Sequence, residues 1–228
     1  MYRSNTMNAT PGASGDSPRS EARRAQILDA ARDCFRRQGF HGASIAQICK
    51  EAGMSAGHIY HYFENKEAII AAIVEQDLDR LLTMTAQLRA SPDMLEAIAA
   101  CTAEGVRDNL DPNTASLKVE IVAEAARNPR VAEIVRAADR RCRDSMTDIL
   151  REQRRSLGLT DDEAGLDAIA ELFATMYDGL LVRAVRNPEI ARPELAAMFQ
   201  KVIMTTLTSA AHDSGCPRRA ATPRAADG

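Results

Sequence analysis

The chain has 228 residues, 45% of them hydrophobic and only 4% aromatic, which is enough apolar material for a buried core that needs no disulfide or metal. Its 29 lysines and arginines stand against 32 aspartates and glutamates, so the formal net charge is −3. Residues 1–66 carry nine basic and six acidic side chains, whereas residues 67–228 carry 20 and 26. A basic N-terminal part on an acidic body is typical of a nucleic-acid-binding module joined to a domain that does not bind nucleic acid.

The two ends of the chain differ in composition from the rest. Residues 1–18 and 213–228 are rich in small polar residues, glycine and proline, and are predicted to form a disordered arm and tail. The arm has no apolar core for a secretory signal, and no apolar run in the chain reaches the roughly 18 residues of a membrane span. The cysteines at positions 34, 49, 101, 142 and 216 show no paired spacing, which favours free thiols in a cytoplasmic protein.

The segment between the two ends is predicted to be helical, because it has no alternating β-branched run long enough for a strand. A first helix over about 20–38 ends at Gly39. Its apolar stripe consists of Ile27, Leu28, Ala31, Cys34 and Phe35. Ser44 and Ser55 are predicted to cap two short helices, 45–52 and 56–63, with Gly53 at a positive φ in the turn between them.

The remaining helices follow from breaks at proline and glycine. Asn65 is predicted to cap a long helix, 66–90, and Pro92, Pro112, Pro129, Gly158 and Pro188 mark later boundaries. The five helices expected beyond residue 90 cover about 92–108, 114–126, 130–157, 161–186 and 193–211. The prediction is an all-α protein of about nine helices.

The two short helices, with a glycine in their turn, form a helix-turn-helix pattern. Ile45 and Ile48 are expected to pack against the first helix, and Cys49 is small where the helices cross. Ile59 anchors the second short helix in the core. The other faces of that helix are then able to enter a DNA major groove, N-terminal end first.

A specific motif runs through residues 23–75. It consists of Phe35, Gly39, Phe40, Ser44, Ile45, Ile48, Ala52, Gly53, Met54, Ser55, Gly57, Ile59, Tyr60, Tyr62, Phe63, Asn65, Lys66 and Glu67. With it the chain resembles the TetR family of bacterial regulators, although Cys49 stands where the family usually has alanine. Residues 125–134 are similar to the subgroup of the choline-responsive repressor. The resemblance implies a DNA-binding domain over 19–66 and a ligand-binding and dimerisation domain over 67–212.

The resemblance also implies which residues touch DNA. They are Ser44, Ser55, Ala56, Gly57, His58, Tyr60, His61, Tyr62 and Lys66. Ser44, the two tyrosines and Lys66 would contact phosphates, whereas the residues that open the second short helix would face base edges. His61 would contact backbone or base, and Phe63 is expected in the core. His58 and His61 share a helix face without a third ligand nearby, so no metal and no cofactor is expected.

Two further sets of residues are predicted in the C-terminal domain. The candidates for an effector pocket, each of them alternatively a core residue, are Leu81, Met84, Leu88, Cys101, Phe173, Met176 and Tyr177. The apolar faces of the last two helices are wide, and in the family such helices pair with those of a second subunit. The candidates for this dimer interface, with ordinary core as the alternative, are Leu172, Leu180, Phe199, Val202 and Ile203.

The function implied by the resemblance is that of a dimeric repressor, which binds a palindromic operator and is released by a small-molecule effector. Its partners would be double-stranded operator DNA, a second copy and that effector, with no membrane. Two alternatives stay open, namely a transcriptional activator on the same fold and a helical adaptor without DNA binding. An enzyme is not expected, because the sequence has no nucleophile elbow, phosphate-binding loop, dinucleotide fingerprint or zinc-protease motif.

Overall fold

The computed structural model describes residues 18–209, in which nine helices and no strand occur, so the predicted all-α class is confirmed. The chain divides into two compact units, Met1–Ile73 and Val74–Gly228. Of the predicted arm only Pro18 lies among the described residues, where it begins a helix, and the predicted tail lies outside them. The domain boundary predicted after residue 66 stays a prediction.

The first unit is built from α1 (Pro18–Gly42), α2 (Ile45–Ala52), α3 (Ala56–Tyr62) and the start of α4 (Lys66–Ala90). The predicted apolar stripe of α1 is confirmed, because its members are at most 1% exposed. Gly39 does not end α1 as predicted but kinks it, with φ 70° and ψ 169°. The chain resumes a helical turn after the kink, in which the amide of Ala43 donates to the carbonyl of Gly39 at 3.1 Å.

The second unit contains the rest of α4 and the five following helices. These are α5 (Met94–Asn109), α6 (Pro112–Ala125), α7 (Pro129–Ser156), α8 (Glu163–Arg186) and α9 (Arg192–Thr208). Helices α6 and α7 begin at their prolines instead of just after them as predicted. This is possible because the first turn of a helix needs no amide hydrogen from that position. Side chains of Asp111 and Asn128 cap the two helices.

The core of the second unit has two apolar clusters. One contains Leu150 and Phe173, and the other contains Leu180 and Phe199. Tyr177 packs against both clusters, and its ring meets the ring of Phe199 edge-on with centroids 5.8 Å apart. The second unit is therefore packed continuously from α5 through α8 to α9.

The C-terminal end of α9 is held by Arg154 of α7, which is 1% exposed. Its guanidinium pairs with Asp161 through contacts of 2.5 and 2.8 Å. It also donates to the carbonyl oxygens of Thr206, Leu207 and Ser209 at 2.6, 3.2 and 2.9 Å. Because carbonyls at a helix end lack partners within the helix, the buried cation and the end of α9 satisfy each other.

Candidate nucleic-acid interface

Helix α2 is fixed against α1 by apolar packing and by two side-chain contacts. Ile48 and Ala52 are buried. Gln26 donates to the carbonyl of Ala52 at 2.8 Å, and Arg37 pairs with Glu51 at 2.8 Å. The exposed side of α2 therefore has a set position relative to α1.

The predicted caps of the two short helices are confirmed. The hydroxyl of Ser44 accepts from the amide of Gln47 at 3.2 Å, and the side chain of Gln47 accepts from the amide of Ser44 at 2.7 Å. Ser55 accepts from the amide of His58 at 3.3 Å. Gly53 has the predicted left-handed conformation, with φ 63°. The turn between α2 and α3 is thus determined by local hydrogen bonds and one glycine.

Helix α3 is anchored by one residue and exposed around it. Ile59 is buried, as predicted, and Phe63 at the end of the helix is buried as well. The predicted DNA contacts that lie exposed on or beside α3 are Ser55, Ala56, Gly57, His58, Tyr60 and His61. Tyr62 is half-buried, and its ring lies 5.5 Å from that of His58. The helix therefore presents small and polar side chains to solvent.

The space around Gly57 is open. A Cβ added there would meet no other group within 4 Å, and the residue lies inside the regular helix α3. The absence of a side chain at Gly57 is therefore not demanded by packing within the chain. It leaves the backbone at the start of α3 accessible to a close partner, as base-edge readout requires.

Basic groups of α1 lie beside this helix. The guanidinium of Arg24 lies over the ring of Phe63, with its carbon 5.4 Å from the ring centroid. Arg23 donates to Gln26 at 3.0 Å. A cation over an aromatic face is attracted to the ring and still carries its charge. The N-terminal part of α1 therefore brings positive charge to the end of α3.

Lys66 occupies a place that the sequence did not predict. Its ammonium donates to the carbonyl oxygens of Phe40 and Ala43, at 2.7 and 2.8 Å. It also lies 4.5 Å from the centroid of the Phe40 ring. These partners are more than 20 residues away in the sequence, so no local pattern could have identified them.

The candidate effector residues fall into two groups. Leu88 and Phe173 belong to one buried cluster, and Cys101, Met176 and Tyr177 pack against it. The other two candidates, on α4, are half-buried. Burial raises the pKa of the Cys101 thiol and of the Tyr177 hydroxyl. The side chains around this cluster are thus mainly apolar, with few ionisable groups.

A separate surface groove runs between α7 and α8. Its volume is about 440 Å³. The residues that line it are Arg140, Arg143, Asp144, Asp167, Ala168 and Glu171. Both signs of charge are present, and Arg143 pairs with Asp139 and Glu171. The groove includes none of the predicted effector residues.

The predicted dimer residues require a correction. Leu180, Phe199 and Ile203 are only 2%, 9% and 4% exposed within a single chain, so they offer almost no surface to a second copy. Leu172 is 45% exposed, and Val202 is half-buried. The large apolar side chains of α8 and α9 that are exposed are Leu172, Val182, Val185 and Met198. The wide apolar stripes of α8 and α9 in the sequence therefore include both a face that is buried within the chain and a face that is exposed.

Residues 18–209 contain no group of three or more histidine, cysteine, aspartate or glutamate residues arranged to hold a metal ion. None of the helices in this range is both long and apolar enough to cross a membrane.

The chain matches two family models. Residues 27–73 match the model of bacterial regulatory proteins of the TetR family, and residues 92–210 match that of the C-terminal part of BetI-type transcriptional repressors. The first match covers α2, α3 and the core-forming parts of α1 and α4.

Curated proteins and solved structures give the same family. The transcriptional regulator UidR of Escherichia coli K12 is 39% identical over 127 residues, which are 53% of this chain and 62% of UidR. The regulator BetI of Klebsiella pneumoniae is 32% identical over 174 residues, covering 71% of this chain and 82% of BetI. The structure of Salmonella enterica GusR has 28% identity and a TM-score of 0.68, over 85% of this chain and 99% of GusR. The chain therefore belongs to the TetR family of bacterial transcriptional regulators, with a C-terminal domain of the BetI type.

Proposed function

We propose that the chain is a repressor, which binds a palindromic operator as a homodimer in the cytoplasm and leaves it when a small molecule binds to the second unit. The observation that carries this proposal is the exposed face of α3, where small and polar side chains surround a single buried anchor, Ile59. A helix held in this way is able to reach base edges with its N-terminal residues.

In this proposal the DNA contacts divide into two kinds. Ala56, Gly57 and His58 at the start of α3 meet base edges in the major groove. Phosphates are contacted by the hydroxyls of Ser44, Tyr60 and Tyr62, and the basic start of α1 adds attraction to the backbone. His61 meets backbone or base. The first kind of contact selects the sequence, and the second sets the register of the protein on the duplex.

We assign the homodimer contact to the outer face of α8 and α9. Leu172, Thr175, Gly179 and Val182 are exposed and follow one another at helical spacing along one side of α8. A Cβ added at Gly179 would meet nothing within 4 Å, so the backbone is open to close approach there. Exposed Met198 and half-buried Val202 extend the apolar surface on α9. Pairing of these helices across a two-fold axis is supported by the type of family to which the chain belongs.

The effector is proposed to bind among the candidates around Phe173 and Tyr177. Methionine side chains and few ionisable groups suit an apolar or amphipathic molecule. Binding would displace α4, whose first residues belong to the DNA-binding unit and whose later ones belong to the second unit. The molecule must favour the displaced form, typically by about 1–3 kcal/mol, to lower operator affinity.

The experiment that tests the proposal is selection of duplexes from a random-sequence pool by the purified protein, followed by titration of the selected duplex at several salt concentrations. We expect a palindrome whose half-site centres are about 34–36 Å apart, or a multiple of this distance. Affinity should fall steeply with salt, as phosphate contacts require. A pool without enrichment, together with affinity that does not depend on salt, would exclude DNA binding and favour the adaptor alternative.

Repression and activation share the same DNA contacts, so a second measurement separates them. A promoter that contains the selected palindrome is fused to a reporter, in cells with and without the protein. A repressor lowers reporter output in its presence. An increase in output would replace repression with activation and leave the DNA-binding part of the proposal intact.

A further inference from the structure

Helix α4 begins with a charge that the helix itself disfavours. Lys66 is its first residue, and a cation at the N-terminal end opposes the helix dipole. The ammonium has three N–H donors. It uses two of them on the carbonyls of Phe40 and Ala43, at 2.7 and 2.8 Å, and it lies 4.5 Å from the Phe40 ring centroid. The charge of Lys66 is thus engaged within the first unit.

The two carbonyl groups that Lys66 contacts lie where α1 ends and α2 begins. Phe40 lies in the last turn of α1, where carbonyl groups carry partial negative charge. Ala43 directly precedes Ser44, the cap of α2. The contacts of Lys66 therefore join the start of α4 to the connection between α1 and α2. A shift of this connection would move the cap and the exposed face of α2 with it.

We propose that Lys66 is a positioning residue, which holds the connection between α1 and α2 against the start of α4 and so keeps the DNA-binding surface in place. This role differs from the phosphate contact that the resemblance implied for Lys66, and the experiment below decides between the two. The inference deepens the proposed function, because it assigns how the same surface is held. Its test therefore has one arm with DNA and one arm without.

The first arm compares Lys66→Met, which keeps the length of the side chain, with Phe40→Leu, which removes the ring but no charge. Both variants should bind the duplex selected by the wild-type protein about tenfold more weakly, because a charged hydrogen-bonding contact is lost or weakened. The slope of log affinity against log salt should stay unchanged in both. A phosphate contact predicts instead a slope shallower by about 0.9 per lysine for Lys66→Met and no effect of Phe40→Leu.

The second arm measures amide hydrogen exchange of the folded protein without DNA. In Lys66→Met the amides of residues 40–47 should exchange about tenfold faster, because local opening becomes easier, whereas those of α5 should not change. Lys50→Met, which removes an exposed lysine of α2, is the matched control and should exchange like the wild type. Wild-type exchange in Lys66→Met, or the shallower salt slope, would overturn the inference. If the wild type bound no duplex, the proposed function would fail while the exchange arm still decided the role of Lys66.

Discussion

Tyr60 is the more exposed of the two tyrosines of α3, with 54% of the residue accessible, whereas Tyr62 is half-buried. Tyr60→Phe should weaken binding to the selected duplex and to an unrelated duplex alike, by about 1 kcal/mol per subunit for one lost hydrogen bond. The salt slope should not change, because no charge is removed. Fluorescence anisotropy with labelled duplexes at three salt concentrations measures both quantities.

The matched control for this change is Tyr177→Phe. The hydroxyl of Tyr177 hydrogen-bonds with Thr102 inside the second unit. Removal of this hydroxyl should leave the DNA affinity of the effector-free protein as it is in the wild type. Unaltered affinity of Tyr60→Phe at physiological salt would show that Tyr60 does not touch the phosphate backbone.

A second prediction at the residue scale concerns Gly57. Because a Cβ added at Gly57 meets nothing within 4 Å, Gly57→Leu should fold normally and raise helix stability by up to about 1 kcal/mol. The same side chain blocks close approach to base edges, so specific binding should be lost. Thermal unfolding and a footprint on the selected duplex are the two measurements.

Gly53 provides the contrast to Gly57. It has φ 63° with equally open space around it, so Gly53→Leu should lower stability by about 1–2 kcal/mol through backbone strain alone. A normal footprint from Gly57→Leu would refute the close-approach argument. A stability loss in Gly57→Leu as large as that in Gly53→Leu would do so as well.

The structural roles of Ser44, Ser55 and Gly53 could be predicted from the sequence because they depend on interactions within a few residues. Ser44, Ser55 and Gly53 act through hydrogen bonds or dihedral angles within three residues, and such patterns are readable from neighbours. Lys66 was predicted only by resemblance. Its partners, Phe40 among them, become neighbours when α1 and α4 pack, and that proximity has no signature in the local sequence.

At the scale of the helix, Arg154 determines how α9 ends. Arg154→Met should lower the free energy of unfolding by about 3–5 kcal/mol, because it leaves the Asp161 carboxylate buried without its cation. The last carbonyls of α9 lose their partner at the same time. Urea denaturation followed by circular dichroism gives the free energy.

A double substitution separates the buried charge from the loss of packing. In Arg154→Met with Asp161→Leu no unpaired carboxylate remains, so part of the lost stability should return. An exposed ion pair contributes less than about 1 kcal/mol. If Arg154→Met alone lowers the free energy of unfolding by no more than that, the contacts of Arg154 with Asp161 and with the end of α9 do not stabilise the fold as a buried ion pair would.

The helices themselves were largely predictable, whereas the division of the last two helices into an inner and an outer face was not. Proline, aspartate and glycine marked the ends of the helices to within a few residues. The stripes of α8 and α9, however, are wide enough to serve two sides. Leu180 and Phe199 complete the chain's own core, while Leu172 points to solvent. A hydrophobic pattern measures how much of a helix is apolar, and it does not say which neighbour covers each side.

At the scale of the whole molecule, operator binding depends on two copies acting together. Leu172→Glu places a charge on the outer face of α8, which is expected to be desolvated in the dimer. The variant should sediment as a folded monomer, because Leu172 contributes little to its own core. Val122→Glu is the matched control, since Val122 is 58% exposed on α6, outside the proposed interface, and its substitution should leave the dimer intact.

DNA binding by the same two variants links assembly to function. Two recognition helices on one rigid dimer convert the second half-site contact into an intramolecular event, which typically raises affinity by about 10²–10⁴-fold. Leu172→Glu should therefore lose about this factor on the selected palindrome and very little on a single half-site, whereas Val122→Glu should match the wild type on both. A Leu172→Glu protein that stays dimeric and binds the palindrome normally would place the interface elsewhere. A monomer with undiminished affinity would mean that the two copies do not grip one duplex together.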